Sequence, residues 1–437
     1  MLDINKPVYL KKNVKVILGY RNAAFYNFND KNLYLTAKAT GEYICRPSAN
    51  LHDMISPSLL ALMEKHGLIT FDVMSAEANP FSFDYDLFDD CHSGDCCKLL
   101  YIEVTDVCNF NCIHCYAEIE RTGRKFLSVS QLNTIIDHLP PNKPCDIRIT
   151  GGEPFLNKAI RKLVDVVYNR VPSLEKHSIV TNGSFALDDA IYALDKGFEL
   201  QVSVYGMTYE TFRKFTNTGM VAYKHAMDNL IQLSQTPWRD NVLLCFAVNS
   251  LTYEEIEDFK SFCLQHGFRF ILNRPASIGR AVKNWNQLEL PDNIHYEFAR
   301  ATKKGRTRYC YHLCQLHITV ATVDGDIVPC TFLRDKKFFL GNIISQELQA
   351  IWNSEKYRDF RALTASKVDK CASCEFMYAC TAGCCGEAVG ENGNILATYP
   401  WCKVKPFNSD YLRIENHELF VAEKLAAGTF DFLKLSE

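Results

Sequence analysis

The chain has 437 residues, 47% of them hydrophobic, and carries 48 Lys plus Arg against 51 Asp plus Glu for a net charge of -3. That length and apolar content suffice for two or three domains, and the nearly balanced charge removes any global reason to expect nucleic-acid binding. No stretch reaches about 18 consecutive apolar residues, and the opening MLDINKPVYLKKNVKVILGY lacks the apolar run of an export signal, so a cytoplasmic protein with no membrane association is expected.

In chain order, residues 1–75 show three short β-type runs, VKVILGY, AAFYNF and NLYLTA, the last two separated by the turn NDKN. A helical pattern, SPSLLALMEKHGLI, follows with Ser56 as the expected N-cap and Gly67 as the stop. This is expected to be a small winged-helix-like α+β domain. Residues 76–97, including FSFDYDLFDDCHSGDCC, read as an acidic, aromatic linker.

Between residues 98 and 285, strand and helix signals alternate. Strands are expected at 99–105, 146–150, 177–181, 200–205, 242–248 and 269–273, with stretches such as SVSQLNTIIDHL and YEEIEDFKSFCLQHG long enough for crossover helices. Parallel strands need such crossovers, so the class is α/β. Six units predict a partial, open (β/α)6 TIM-like barrel, whose chemistry would lie in the loops at the carboxyl ends of its strands.

Those loops hold the distinctive residues. After the first strand comes Cys108-x3-Cys112-x2-Cys115 followed by Tyr116; after the second comes Gly151-Gly152-Glu153-Pro154; after the third comes TNGS with Asn182. The chain holds 19 cysteines, and with no export signal they point to reduced thiols for metal or redox chemistry. Structural zinc closes with four protein ligands. Three thiolates on one loop instead leave a position open, as in a 4Fe-4S cluster with one iron free to bind something else. By spacing alone, zinc and simple buried thiols stay open as alternatives.

The triplet combined with GGEP resembles the radical S-adenosylmethionine (radical SAM) superfamily over this whole middle region. The resemblance implies that Cys108, Cys112 and Cys115 hold a catalytic 4Fe-4S cluster whose fourth iron chelates S-adenosylmethionine. Reductive cleavage of that cofactor would yield a deoxyadenosyl radical able to take hydrogen from an unreactive carbon. Tyr116, Gly151, Gly152, Glu153, Pro154, Asn182, Ser203 and Arg213 are the implied cofactor contacts, with Gly279 and Arg280 beside the adenine. Turn-capping, sheet-pairing and solvated-helix roles are the plainer alternatives for Asn182, Ser203 and Arg213.

Beyond residue 305, Cys314-x10-Gly325-x4-Cys330 is followed by Cys371-x2-Cys374-x5-Cys380-x3-Cys384 and Cys402, with VDGDIVPC reading as a tight hairpin. This resembles the SPASM domain, expected here over 305–437 with a C-terminal helix. The resemblance implies two auxiliary 4Fe-4S clusters, three in the chain altogether. Cys314, Cys330 and Cys384 would serve the first, with Cys310 available to complete it, and Cys371, Cys374, Cys380 and Cys402 the second. A pair of zinc ribbons is the alternative. Cys45, Cys145, Cys245, Cys263 and Cys385 read as small buried hydrophobes. Cys91, Cys96 and Cys97 read as incidental thiols in the linker, with substrate bridging or redox exchange as the bolder option.

Residues 1–75 resemble the precursor-peptide recognition element of maturases that act on ribosomally made peptides. An open strand edge beside a helix can accept a leader peptide as an added strand. The expected activity is therefore a radical SAM peptide maturase, with a thioether from Cys to carbon as the first product and a carbon-carbon link as the second. The expected partners are a precursor peptide and an electron donor such as flavodoxin or ferredoxin. Side-chain oxidation of a protein, as in sulfatase maturation, and a non-enzymatic electron carrier complete the alternatives.

Overall fold

The computed structural model describes residues 6–46, 54–84, 87–88, 99–118, 125–141, 145–290, 313, 318–400, 402, 418–426 and 429–434. At the amino end, β1 (Tyr9–Leu10), β2 (Val14–Leu18), β3 (Asn22–Asn27) and β4 (Asn32–Ala37) lead into α1 (Lys38–Ile44), α2 (Pro57–Lys65) and β5 (Ile69–Thr70). Ser56 caps α2 as expected, its hydroxyl accepting the Leu59 N–H at 3.3 Å.

Strand alternation explains the placement of this sheet. On one face Val14, Val16, Phe25 and Tyr34 pack into a local core with Leu59, Leu60 and Met63 of α2. On the other, Ile17, Ala24, Tyr26, Leu33 and Leu35 join the main core of the chain. The sheet is thus a filled layer between its own helices and the rest of the molecule.

Six parallel strands follow: β6 (Leu99–Glu103), β7 (Asp146–Thr150), β8 (Ser178–Thr181), β9 (Glu199–Val204), β10 (Val242–Ala247) and β11 (Arg269–Asn273). They pair in sequence order. Each expected strand is present within two residues of its predicted bounds. The crossovers carry α3 (Val129–Asp137), α4 (Ile160–Arg170), α5 (Leu187–Asp195), α6 (Tyr209–Thr216), α7 (Met220–Ser234) and α8 (Ile256–His266), before the short α9 (Arg280–Lys283). Leu100, Ile102, Ile147, Ile149, Leu200, Val202, Leu244 and Phe246 are buried under these helices, while Tyr101, Arg148, Gln201, Ser203 and Cys245, at the alternate positions, are only half-buried.

The cysteine-rich region does not begin as a separate body. Its hairpin, β12 (Ile318–Ala321) and β13 (Asp326–Val328), and then β14 (Gly341–Asn342) extend the barrel sheet to nine strands, with β12 parallel to β6. The first barrel strand would otherwise present an unpaired edge, and the apolar ITVA run covers it. The region continues through α10 (Leu348–Trp352), α11 (Glu355–Arg361), α12 (Met377–Cys380) and α13 (Cys385–Asn392).

The carboxyl-terminal expectation needs correction. The described residues there form two strands, β15 (Phe420–Ala426) and β16 (Thr429–Lys434), not a helix. They belong to the amino-terminal sheet, whose order is β16-β15-β4-β3-β2. The physical reason is alternation in LFVA: Leu419 and Val421 face the α2-side core, while Phe420 and Ala422 face the main core. Among the described residues no helix is long and apolar enough to cross a membrane.

Candidate active site

The Cys108–Cys115 loop leaves β6 and is held in place by backbone on three sides. Asn111 N–H donates to Thr216 O and Ile113 N–H to Phe215 O, both at 3.0 Å, tying the loop to the end of α6. Gly152 N–H donates to Thr105 O at 2.9 Å and Glu153 N–H to Val107 O at 2.8 Å. A Cβ on Gly152 would lie 2.0 Å from Val107 O, which explains the glycine in GGEP: two backbones meet there with no room for a side chain. Arg280 N–H donates to Cys115 O at 3.1 Å, and its guanidinium bonds Asn111. Gly279 sits at φ +59 where a Cβ would come within 2.7 Å of both Cys115 O and Tyr116 O.

The thiols themselves lie in a largely apolar setting. Cys112 is buried with Phe110 and Phe212, and Cys108 and Tyr205 pack against that group. Burial is the main cause that lifts the Cys108 thiol to about 11, and it raises Cys112 well above the ordinary thiol value, with the neighbouring thiols adding to both. Bare thiols here would stay protonated at neutral pH; ligation by iron draws out the thiolate. The Phe110 N–H points at Cys108 Sγ from 3.4 Å, and Asn182 Nδ2 lies 3.9 Å from the same sulfur. Such donors support a sulfur carrying negative charge. His114, between two of the cysteines, is buried against Phe215 at a ring distance of 4.4 Å, and burial lowers its pKa to about 3. Its Nδ1 has no hydrogen-bond partner among the described residues.

Glu153 is fully buried and works on protein groups. Its carboxylate accepts the Thr181 hydroxyl at 2.8 Å, the Asn182 N–H at 2.7 Å and the Phe155 N–H at 3.2 Å. Burial raises it to about 7 in spite of these bonds. It therefore fixes the TNGS loop, and Asn182 in turn reaches Asn109 Oδ1 at 2.9 Å beside Cys108. Pro154 opens a short turn immediately after it. Ser203 lies on β9, two residues before the partly buried Tyr205.

The structure does not bring Arg213 into this group. It lies on the exposed face of α6, whose Phe212 and Phe215 point the other way into the protein. Conversely, Asn109, Asn111 and the ion pair of Glu103 with Arg334, at 2.5 and 2.9 Å, belong to the site but escape motif reading. The sequence holds one faint signal for the pair, a lone acid at the end of an apolar strand.

Tyr116 carries the site toward the cysteine-rich region. Its ring meets Phe332 at 5.7 Å, two residues after Cys330. Phe332 also abuts Gly386, two residues after Cys384, where an added Cβ would lie 2.5 Å from the Phe332 Cβ. Cys371, Cys374, Cys380 and Cys402 influence one another: burial, with Cys380 and Cys402 adding, lifts Cys371 to about 12, and burial, with Glu375, Cys380 and Cys371 adding, raises Cys374. Among the described residues no three His, Cys, Asp or Glu side chains are gathered closely enough to hold a metal ion; the four soft thiols are of the donor type that iron-sulfur clusters use. Cys310, Cys314, Cys91, Cys96 and Cys97 lie outside the described residues. Cys145, Cys263 and Cys385 are buried, and Cys45 and Cys245 partly so.

The amino-terminal sheet is fastened to that last neighbourhood. Glu375, fully buried and adjacent to Cys374, accepts the N–H groups of Tyr20 and Asn22 at 3.1 Å and the Asn22 side-chain amide at 3.2 Å. Tyr26 donates to Glu375 O at 2.8 Å. Phe83 from the linker fills the seam, 4.5 Å from the Tyr378 ring and 5.4 Å from Tyr26.

Comparison with known proteins agrees with this geometry. The radical SAM superfamily profile matches residues 102–263, and that of the SPASM iron-sulfur cluster-binding domain matches residues 310–375. The mycofactocin maturase MftC of Mycolicibacterium smegmatis is 24% identical over 308 residues, 64% of this chain and 76% of its own. An AdoMet-dependent heme synthase of Nitratidesulfovibrio vulgaris is 23% identical over 363 residues, 71% of this chain and 93% of its own. The crystal structure of Streptococcus suis SuiB bound to precursor peptide SuiA superposes with a TM-score of 0.53 at 14% identity, covering 90% of this chain and 99% of that one. The chain thus carries a radical SAM domain within its partial barrel, over residues 102–263, and a SPASM iron-sulfur domain after it, over residues 310–375.

Proposed function

We propose that the enzyme is a maturase of a ribosomally made peptide, gripping a leader at its amino-terminal sheet and cross-linking the core peptide at the barrel. The observation that carries this reading is that the cysteine-rich region touches both the amino-terminal sheet and the cysteine loop of the barrel. Glu375 joins the sheet to the Cys371–Cys374 turn, and Phe332 joins the Cys330 and Cys384 loops to Tyr116. A relative that makes heme has a different substrate class, so the barrel by itself does not select a peptide. The likeness of this chain to SuiB extends over 90% of its length, beyond the barrel and the SPASM domain, and is consistent with the reading.

Cys108, Cys112 and Cys115 would hold the cluster that binds S-adenosylmethionine, and Cys371, Cys374, Cys380 and Cys402 would hold an auxiliary one. Cys330 and Cys384, with Cys314 and Cys310, would hold the other. When bound, these groups supply one-electron reduction and hydrogen-atom abstraction from an unactivated carbon. The residues of this chain do the rest. Glu153 and Asn182 hold the Cys108 side of the loop, Arg280 and Asn111 hold the Cys115 side, and Phe110, Phe212 and Tyr205 exclude water. A reduced flavodoxin or ferredoxin would supply the electron.

We favour a thioether from a peptide Cys to a carbon, with a carbon-carbon link as the second reading. Co-expression with the precursor peptide encoded beside the gene, followed by mass spectrometry and thiol alkylation, separates them. The thioether predicts loss of two hydrogens and of one alkylatable thiol. Loss of two hydrogens with every thiol still alkylated identifies the carbon-carbon link. An unmodified precursor contradicts both.

A further inference from the structure

The β4 edge, suited to an incoming peptide, is already taken by the carboxyl-terminal hairpin, with β15 against β4 and β16 outermost. Strand β15 lies antiparallel on β4, pairing Phe420 with Leu35, Val421 with Tyr34 and Ala422 with Leu33. Its side chains follow the two-faced pattern of the sheet. Leu419, 1% exposed, enters the core beneath α2 with Val14, Phe25, Leu60 and Met63, Val421 packs against the same core, and Ala422 is buried on the opposite face.

The attachment is short. Among the described residues β15 meets β4 over three residue pairs, half the six by which β3 meets β4. On its other side β15 pairs with β16, with a register shift between Ala422 and Lys424, and such a bulge bends a strand locally. The opposite edge of the sheet has less to offer: on β2, Val16 N–H donates to Pro80 O at 2.8 Å, and Lys15 Nζ bonds Glu77 and Asn79 O, both at 2.8 Å.

We propose that residues 419–422 are a resident stand-in for the leader, and that an extended leader segment binds by displacing β15 from β4. This rests on the peptide-maturase reading above. The chemistry of the vacated edge defines the partner: an extended segment with apolar side chains two residues apart, replacing Leu419 and Val421, and a small or apolar residue between them and after them on the other face. Free and resident strands compete for one ladder of main-chain hydrogen bonds. The apparent affinity for the leader is therefore reduced by the fraction of time β15 occupies the edge.

The test uses the full chain, the precursor peptide, and a fluorescent peptide copying residues 417–426. In hydrogen-deuterium exchange of the wild type, adding precursor is expected to release protection at 420–422 while 33–35 stay protected. The Leu419→Ala variant is expected to bind the copy peptide about tenfold more tightly than the wild type does, and precursor should displace it. Precursor binding with protection at 420–422 unchanged overturns the proposal without using any variant. A Leu419→Ala chain that keeps its iron and its exchange pattern elsewhere yet does not bind the copy peptide also overturns it. Binding of the copy peptide without any binding of precursor supports an exchangeable edge and sinks the maturase reading instead.

Discussion

At the scale of single residues, the site is set by what cannot be enlarged and by what cannot be charged. Gly152 and Gly279 sit where a Cβ would collide with backbone of the cysteine loop rather than with a movable side chain. Gly152→Ala is therefore expected to lose the iron cluster proposed for Cys108, Cys112 and Cys115, read as a drop in iron per chain and in the electron paramagnetic signal of the reduced protein. Retention of full iron and signal would contradict the packing described. Glu153 gives a prediction with a sign. Its pKa is about 7 in the folded chain against an ordinary 4.5, mainly from burial, so the folded state keeps a proton that the unfolded state has released. Its contribution then favours folding below about pH 4.5 and is withdrawn as pH rises to about 7, on the order of 3 kcal/mol in all. The stability advantage of wild type over Glu153→Gln should shrink between about pH 5 and pH 7.5, as urea midpoints measure. A constant gap would mean that the carboxyl does not titrate there.

At the scale of elements, the barrel is the part most legible in the sequence, because parallel strands buried on one face by helices read as short apolar runs. The runs at 146–150 and 269–273 appear as strands at those bounds. Arg213 shows where motif spacing stops helping: it falls within α6, and the periodicity of Phe212 and Phe215 turns it outward. Less legible are contacts between elements distant in sequence. Nothing local in ITVA announces a parallel partner in β6, and nothing in CEF announces that Glu375 will receive two amides of the β2–β3 turn. Replacing that carboxylate should show its role. Glu375→Ala leaves the Tyr20 and Asn22 amides without their acceptor at about 1–3 kcal/mol each. Exchange at 19–22 should rise while the signal of the Cys108–Cys112–Cys115 cluster persists. If 19–22 remains as protected as in wild type, the fastening lies elsewhere, with the Phe83–Tyr378 seam as the next suspect.

At the scale of the whole molecule, the chain ties its ends together: the carboxyl-terminal hairpin completes the amino-terminal sheet, which rests on the cysteine-rich region, which extends the barrel sheet. Division of the sequence at 75, 97 and 305 marks changes in composition, but it misses this closure because strand pairing ignores distance along the chain. The consequence is that the sheet proposed to bind a leader, the auxiliary cysteines and the Cys108–Cys115 loop share one packed structure. The central claim is most directly tested by following deoxyadenosine and peptide mass together in the anaerobically reduced enzyme supplied with S-adenosylmethionine and precursor. The account predicts deoxyadenosine formed in step with a cross-linked peptide, and neither product from Cys108→Ala, Cys112→Ala or Cys115→Ala. Deoxyadenosine released while the precursor keeps its mass, or no deoxyadenosine from fully iron-loaded enzyme, would contradict it.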